Sequence, residues 1–237
     1  MSAPSVVFIH GLGGSEASLG DVPSTVAAAG WAVSTLRLPG HGTTVDDLER
    51  CRLDDWLEAV SQHVDRCDVG RGVVLVGQSL GGVLALVVAG NTGTVKGLAA
   101  INAPVSPADP DVIEHLSWMI DRGVTRQPAG RPDLQDPDAI DPSYEEVPVS
   151  ALLALIEAGD RAHRTVPHLT QPVMVVSSDH DQVVDPWLAD QLAVNLRGPV
   201  TRLRLARSGH VACRDLDRHL LAAEIIDWLG RFSAAST

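Results

Sequence analysis

The sequence predicts an α/β fold: a mostly parallel central sheet, helices on both of its faces, and one inserted segment. Two observations carry that expectation. Short β-rich runs alternate with helical patterns along the chain, and the alternation breaks in a single proline-rich stretch. At 237 residues and 45% hydrophobic, the chain is long enough to bury a full core as one domain.

The runs are "SVVFI" (5 to 9), "WAVSTLRL" (31 to 38), "GVVLVG" (72 to 77), "VKGLAAI" (95 to 101), "PVMVVSS" (172 to 178) and "VTRLRLA" (200 to 206), each bounded by Gly, Pro or polar clusters. Between them, Leu53, Trp56, Leu57, Val60 and Val64 fall at steps of three and four and line one helix face. Leu221, Ile225, Trp228, Leu229 and Phe232 do the same near the C-terminus. The break is Pro104 to Pro148, which holds eight of the fifteen prolines and cannot be a regular βα unit. The expected organisation is a core of residues 1–103 and 171–237 with an insertion, 104–170, over one end of the sheet. Helices are expected near Val112 to Arg122 and in "VSALLALIEAGDRAH".

Charge and cysteines narrow the function classes. Formal net charge is −12 and Lys96 is the only lysine, which argues against a nucleic-acid or anionic-membrane partner, since both need a basic surface. Cys51, Cys67 and Cys213 are an odd set without CxxC spacing and suggest reduced thiols. The first strand begins at about Ser5, leaving no room for a signal peptide, and no apolar run is long enough to span a bilayer. A soluble cytoplasmic protein is expected.

The chemistry centres on "VLVGQSLGGVLAL", where Ser79 stands between Gly77 and Gly81 after a strand and before a helix. Gly-x-Ser-x-Gly alone is a common pattern, but this setting is what a nucleophile elbow requires: a sharp turn with strained serine angles and glycines that admit close backbone. A serine N-cap on a buried helix is the other reading. A serine hydroxyl needs a base, a group that orients the base, and an anion hole. Of nine histidines, His210 in "ARSGHVA", just past the last strand, fits the order Ser, Asp, His. His63 and His219 fall within helices, and His10 and His41 sit in loops where structural hydrogen bonds suffice. "PVMVVSSDHDQVVDP" offers Asp179, Asp181 and Asp185 as the acid. Asp181 is at the loop tip, Asp179 almost on the strand, and Asp185 before Pro186 looks like a helix cap. A metal reading of "DHD" lacks a second ligand pair. For the anion hole, the glycine-rich turn in "FIHGLGG" can aim the Leu12 N–H inward, and Leu80 supplies the second N–H at a helix N-terminus. A phosphate-cradling reading of "HGLGG" lacks the P-loop lysine and spacing.

Taken together, "HGLGG", "LRLPGHG", "DDW", "GQSLGGVLAL", "INAPV", "SSDHDQVVDP" and "RSGHV" resemble the α/β-hydrolase superfamily, and within it the small bacterial carboxylesterases and monoacylglycerol lipases. The resemblance covers nearly the whole chain. It implies Ser79 as nucleophile, Asp181 as acid, His210 as base and the Leu12 and Leu80 amides as anion hole, with the 104–170 insertion as a cap (lid) lining an acyl pocket. No cofactor or metal is implied. The expected protein is a monomer or homodimer that cleaves a small uncharged ester of short to medium acyl chain through an acyl-enzyme. Leu116, Trp118, Met119 and Ile120 are candidates for the apolar pocket, although a helical apolar stripe also serves ordinary packing. Perhydrolysis as in cofactor-free haloperoxidases, carbon–carbon bond hydrolysis, a slow-turnover receptor and an interaction scaffold are the alternatives.

Overall fold

The structure, a computed structural model, describes residues 3–68 and 70–234. In chain order the elements are β1 (Ser5–Ile9), α1 (Val22–Ala28), β2 (Val33–Leu36), α2 (Val45–Arg50), α3 (Leu53–Cys67), β3 (Val73–Gln78), α4 (Leu80–Asn91) and β4 (Val95–Ile101). Then follow α5 (Pro110–Asp121), β5 (Arg126–Pro128), β6 (Glu146–Pro148), α6 (Val149–Thr165), β7 (Val173–Ser178), α7 (Trp187–Asn195), β8 (Val200–Leu205) and α8 (Arg218–Ala234). The expected strands are present, as are the expected helix within the proline-rich stretch and the one that follows it. The β5–β6 ribbon, with three residues in each strand, is an addition: runs that short carry no readable alternation.

Six strands form one parallel sheet in the order β2-β1-β3-β4-β7-β8. Strand side chains alternate between faces, so β1 and β3 divide their residues between two cores. Val6, Phe8, Val74 and Val76 pack with α1 and α8, including Val22, Val26, Ile225 and Trp228. Val7, Ile9, Val73 and Leu75 pack with α3, α4 and α6, including Trp56, Leu84 and Ala158. β3 and β7 are buried along their whole length. Helix α4 is buried from Leu80 to Ala89, which its uncharged sequence allows and which fixes its N-terminus rigidly at the sheet edge.

Between β4 and β7 the chain leaves the sheet. This excursion carries α5, the β5–β6 ribbon and α6, and it is tied to the core by side chains: Arg126 on β5 pairs with Asp46 (2.6 Å) and with Glu49 of α2. Among the described residues no helix is long and apolar enough to cross a membrane.

Candidate active site

The strand order reverses between β1 and β3. Crevices at such switch points, at the carboxyl ends of the strands, are where open α/β sheets bind ligands. Here the end of β1 supplies the loop His10–Gly14 and the end of β3 supplies Ser79. The turn is tight. A Cβ on Gly77 would lie 2.2 Å from the Gly81 carbonyl carbon, and one on Gly81 would lie 2.3 Å from the Ile9 carbonyl oxygen. Ser79 adopts φ 54° and ψ −120°, a strained pair for a non-glycine residue that costs about 1–3 kcal/mol. Its N–H donates to the Ile101 carbonyl at the end of β4 (2.8 Å) and its carbonyl accepts from the Gly82 and Val83 amides (2.9 and 3.2 Å). The side chain does not cap α4; Ser79 Oγ instead lies 3.0 Å from His210 Nε2.

The three aspartates of the β7–α7 loop go separate ways. Asp179 forms a surface ion pair with Arg204 (2.9 Å), and Asp185 accepts the Trp187 amide (2.9 Å) as a cap for α7. Asp181 alone reaches the histidine, with Oδ2 at 2.9 Å from His210 Nδ1. Its other oxygen accepts the Val183 and Val184 amides (2.9 and 2.8 Å), which fixes the carboxylate plane. With Nδ1–H donating to Asp181, the neutral ring presents an acceptor at Nε2, the state needed to take a proton from a hydroxyl. All three side chains are buried, with Ser79 at 8%, Asp181 at 8% and His210 at 9% exposure, so the hydrogen bonds between them are shielded from bulk water. Leu12 lines the same cleft as Ser79 and His210. Leu80 is the first residue of α4, so its amide has no carbonyl one turn before it.

That cleft has a volume of about 70 Å³ and also takes Asp141 and Ser143 from the excursion. The segment is pinned there by Tyr144, whose N–H donates to the Gly13 carbonyl (3.0 Å) and whose hydroxyl donates to the Gly40 carbonyl (3.0 Å). Ser143 donates to one oxygen of Asp141, while the other, Oδ1, is buried without a protein partner. The apolar residues of α5 are elsewhere. Leu116 is buried in packing, Met119 is half-buried, and Trp118 and Ile120 are 50% and 38% exposed. Trp118 stacks on His115 and sits under the Arg122 guanidinium. The cleft beside Ser79 is lined by none of the four, because the face of α5 that reaches the protein packs on α6.

Asn102 is among the buried polar residues that carry no catalytic motif in the sequence. Asn102, at φ 47°, donates from Nδ2 to Ser178 Oγ (2.9 Å) and to the His210 carbonyl (2.9 Å), and accepts the Ser178 amide at Oδ1 (2.9 Å). It joins the ends of β4 and β7 to the His210 loop. Its only local signal is an asparagine directly after a strand, a residue type that tolerates left-handed backbone.

His10 and His41 take the structural roles expected of them. His10 Nε2 accepts the Leu38 amide (3.2 Å), and His41 Nδ1 bonds the Pro39 carbonyl (2.9 Å). Burial, with His10 beside it, pushes the His41 imidazole down from its ordinary 6.5 to about 4. The unfolded chain therefore binds this proton first, and stability falls as pH drops from 6.5 towards 4, by up to roughly 3 kcal/mol. Urea midpoints at pH 7 and pH 4.5 should converge in His41→Asn relative to the parent; an unchanged gap would assign the acid sensitivity elsewhere.

The sequence and the fold have counterparts in known proteins. A thermostable monoacylglycerol lipase from Bacillus sp. (strain H-257) is 28% identical over 233 residues, covering 95% of this chain and 90% of that protein. A solved structure from work on the metagenome-derived lipolytic enzymes LipS and LipT superposes with a TM-score of 0.88 at 28% identity, covering 97% of this chain and 96% of that one. The Paleococcus ferrophilus monoacylglycerol lipase shares the fold, with a TM-score of 0.81 at 19% identity over 98% of this chain and 97% of its own. A model of the alpha/beta hydrolase family matches residues 6–224, from the first strand of the sheet into the last helix. With that match running across the whole parallel sheet and nearly the full length, the chain belongs to the alpha/beta hydrolase family.

Proposed function

We propose that the protein is a carboxylic ester hydrolase that acts through a Ser79 acyl-enzyme, with monoacylglycerols and other short to medium esters as its substrate class. The observation that carries this reading is the continuous path from Asp181 through His210 to Ser79, with steps of 2.9 and 3.0 Å. Ser79 Oγ attacks the ester carbonyl as His210 Nε2 takes its proton. The Leu12 and Leu80 amides receive the charge on the carbonyl oxygen, and Asp181 stabilises the imidazolium. His210 then protonates the departing alcohol, and a water activated by the same imidazole releases the acid.

The cleft favours the choice of alcohol. A buried carboxylate oxygen without a partner, Asp141 Oδ1, is a strong acceptor waiting for a donor. A free hydroxyl of a glycerol leaving group supplies one, and a simple alkyl alcohol does not. The monoacylglycerol lipase relatives support the same class. The excursion 104–170 acts as a cap, a role supported by its Asp141 and Ser143, which line the cleft beside Ser79. At about 70 Å³ the cleft is small beside the roughly 300–1,000 Å³ of typical ligand pockets, so long acyl chains must displace cap side chains.

The test is hydrolysis of p-nitrophenyl esters from two to sixteen carbons beside monoacylglycerols of matched acyl length. The expected result is turnover that peaks at short to medium chains, with the glycerol ester preferred over the ethyl ester of the same acid. Absence of turnover on every ester, from folded protein, would overturn the reading.

A further inference from the structure

The stretch between β5 and β6 has no regular structure, yet it is bound to the two loops that carry Asp181 and His210. Asp133 Oδ2 accepts two core amides, that of Gln182 (2.7 Å) and that of His210 itself (3.0 Å). The Asp133 carbonyl also accepts the Val211 amide (3.3 Å). The core answers in kind. Asp215, fully buried, accepts the Gln135 and Asp136 amides of the same stretch (2.9 and 2.8 Å) together with the Gly209 amide of its own loop (2.7 Å). Contact is close enough that a Cβ on Gly209 would lie 2.7 Å from both the carbonyl oxygen and Oδ1 of Asp133. Two carboxylates thus face in opposite directions across one seam, each taking amides from the other side.

Gln182 follows Asp181 directly, so a single oxygen of Asp133 sets the spacing between the backbone beside the acid and the backbone of the base. Those two points lie far apart in sequence, and Asp133 is remote from both. We propose that Asp133 is a positioning residue for the proton relay: its carboxylate holds the Asp181 and His210 loops at the separation that keeps Nε2 on Ser79. The excursion then contributes to the chemical step as well as to closing the cleft. This rests on the assignment of Ser79, His210 and Asp181 made under Proposed function. Charge-assisted hydrogen bonds to backbone amides are short and directional, which suits a group that sets a distance. Misplacement of a reacting group by about 1 Å costs on the order of 100-fold in rate.

The experiment measures kcat and KM on p-nitrophenyl acetate for the full chain and for Asp133→Ala and Asp133→Asn. Rates are divided by the fraction of molecules that an organophosphonate labels at completion, so that unfolded protein does not count. Asp133→Ala is expected to lose about 10- to 100-fold in kcat with KM within twofold. Asp133→Asn, which keeps an oxygen able to accept both amides, restores most of that rate. If Asp133→Ala yields no folded protein, Asp133→Ser, too short to reach both amides, carries the same expectation. Parental kcat in the alanine variant, a loss confined to KM, or an asparagine variant as slow as the alanine one would each overturn the proposal. Should the parent hydrolyse no ester at all, the fault lies in the substrate reading. The rate of phosphonate labelling at Ser79 then takes the place of kcat, and equal rates in parent and Asp133→Ala would overturn the positioning role.

Discussion

Ser79→Ala is expected to lower kcat for any ester the protein turns over by on the order of 10⁶, the scale of removing a serine nucleophile from a complete triad. KM should change little, because Oγ contributes its bond in the transition state rather than to ground-state binding. The loss is chemical and not structural. Alanine keeps the Cβ that already sits at φ 54°, so the strain of the turn is unchanged and the melting temperature should stay within a few degrees. Organophosphonate should label the parent at one mole per mole and the variant not at all. A variant that keeps more than about one per cent of the parental rate, with protein of verified mass, would remove Ser79 from the nucleophile role.

Asp181→Asn should cost on the order of 10⁴ in kcat, and the hydrogen bonds say why. One oxygen of Asp181 is committed to the Val183 and Val184 amides. An asparagine must place its carbonyl there, which turns its NH₂ towards His210 Nδ1. The ring answers by presenting a lone pair at Nδ1 and carrying its proton on Nε2, where it cannot accept the Ser79 proton. Asp185→Asn keeps an acceptor for the Trp187 amide and should leave kcat within about threefold, while Asp179→Asn loses an exposed ion pair worth about 0–1 kcal/mol. If Asp185→Asn were the inactive variant, the acid would be misassigned and the α7 N-terminus would have to move on substrate binding.

The parts of the protein that sequence revealed are those whose chemistry is local. The strands end within two residues of where their β-rich runs stop, and Trp56, Val60, Ile225 and Trp228 are buried as their spacing demands. Ser79 was legible because glycines two residues either side of it are a sterically required companion of the turn. Asp133, Asp215 and Asn102 were not, because each acts on backbone brought near only by folding, and an aspartate in a proline-rich loop reads as solvated charge. The stripe on α5 was visible as apolar, but periodicity cannot say what a helix face meets. Trp118 and Ile120 lie partly exposed at the surface, and the cleft beside Ser79 is lined by Asp141 and Ser143 instead.

An all-parallel sheet also has a timetable. Val6 pairs with Val74 and Ala100 with Val175, so no hairpin can start the sheet, and every strand pairing waits for a long loop to close. Ser79 lies only a third of the way along the chain, whereas Asp181 and His210 follow the last two strands to join. A growing chain that has reached β4 already holds its serine, but it displays an unpaired apolar edge where β7 will dock and has no base to activate the hydroxyl. During synthesis that edge is the stage most open to aggregation. Recovered esterase activity in a refolding experiment would therefore time the closing of β7 and β8, later than the helical signal, and would serve as a clock for the final step of assembly.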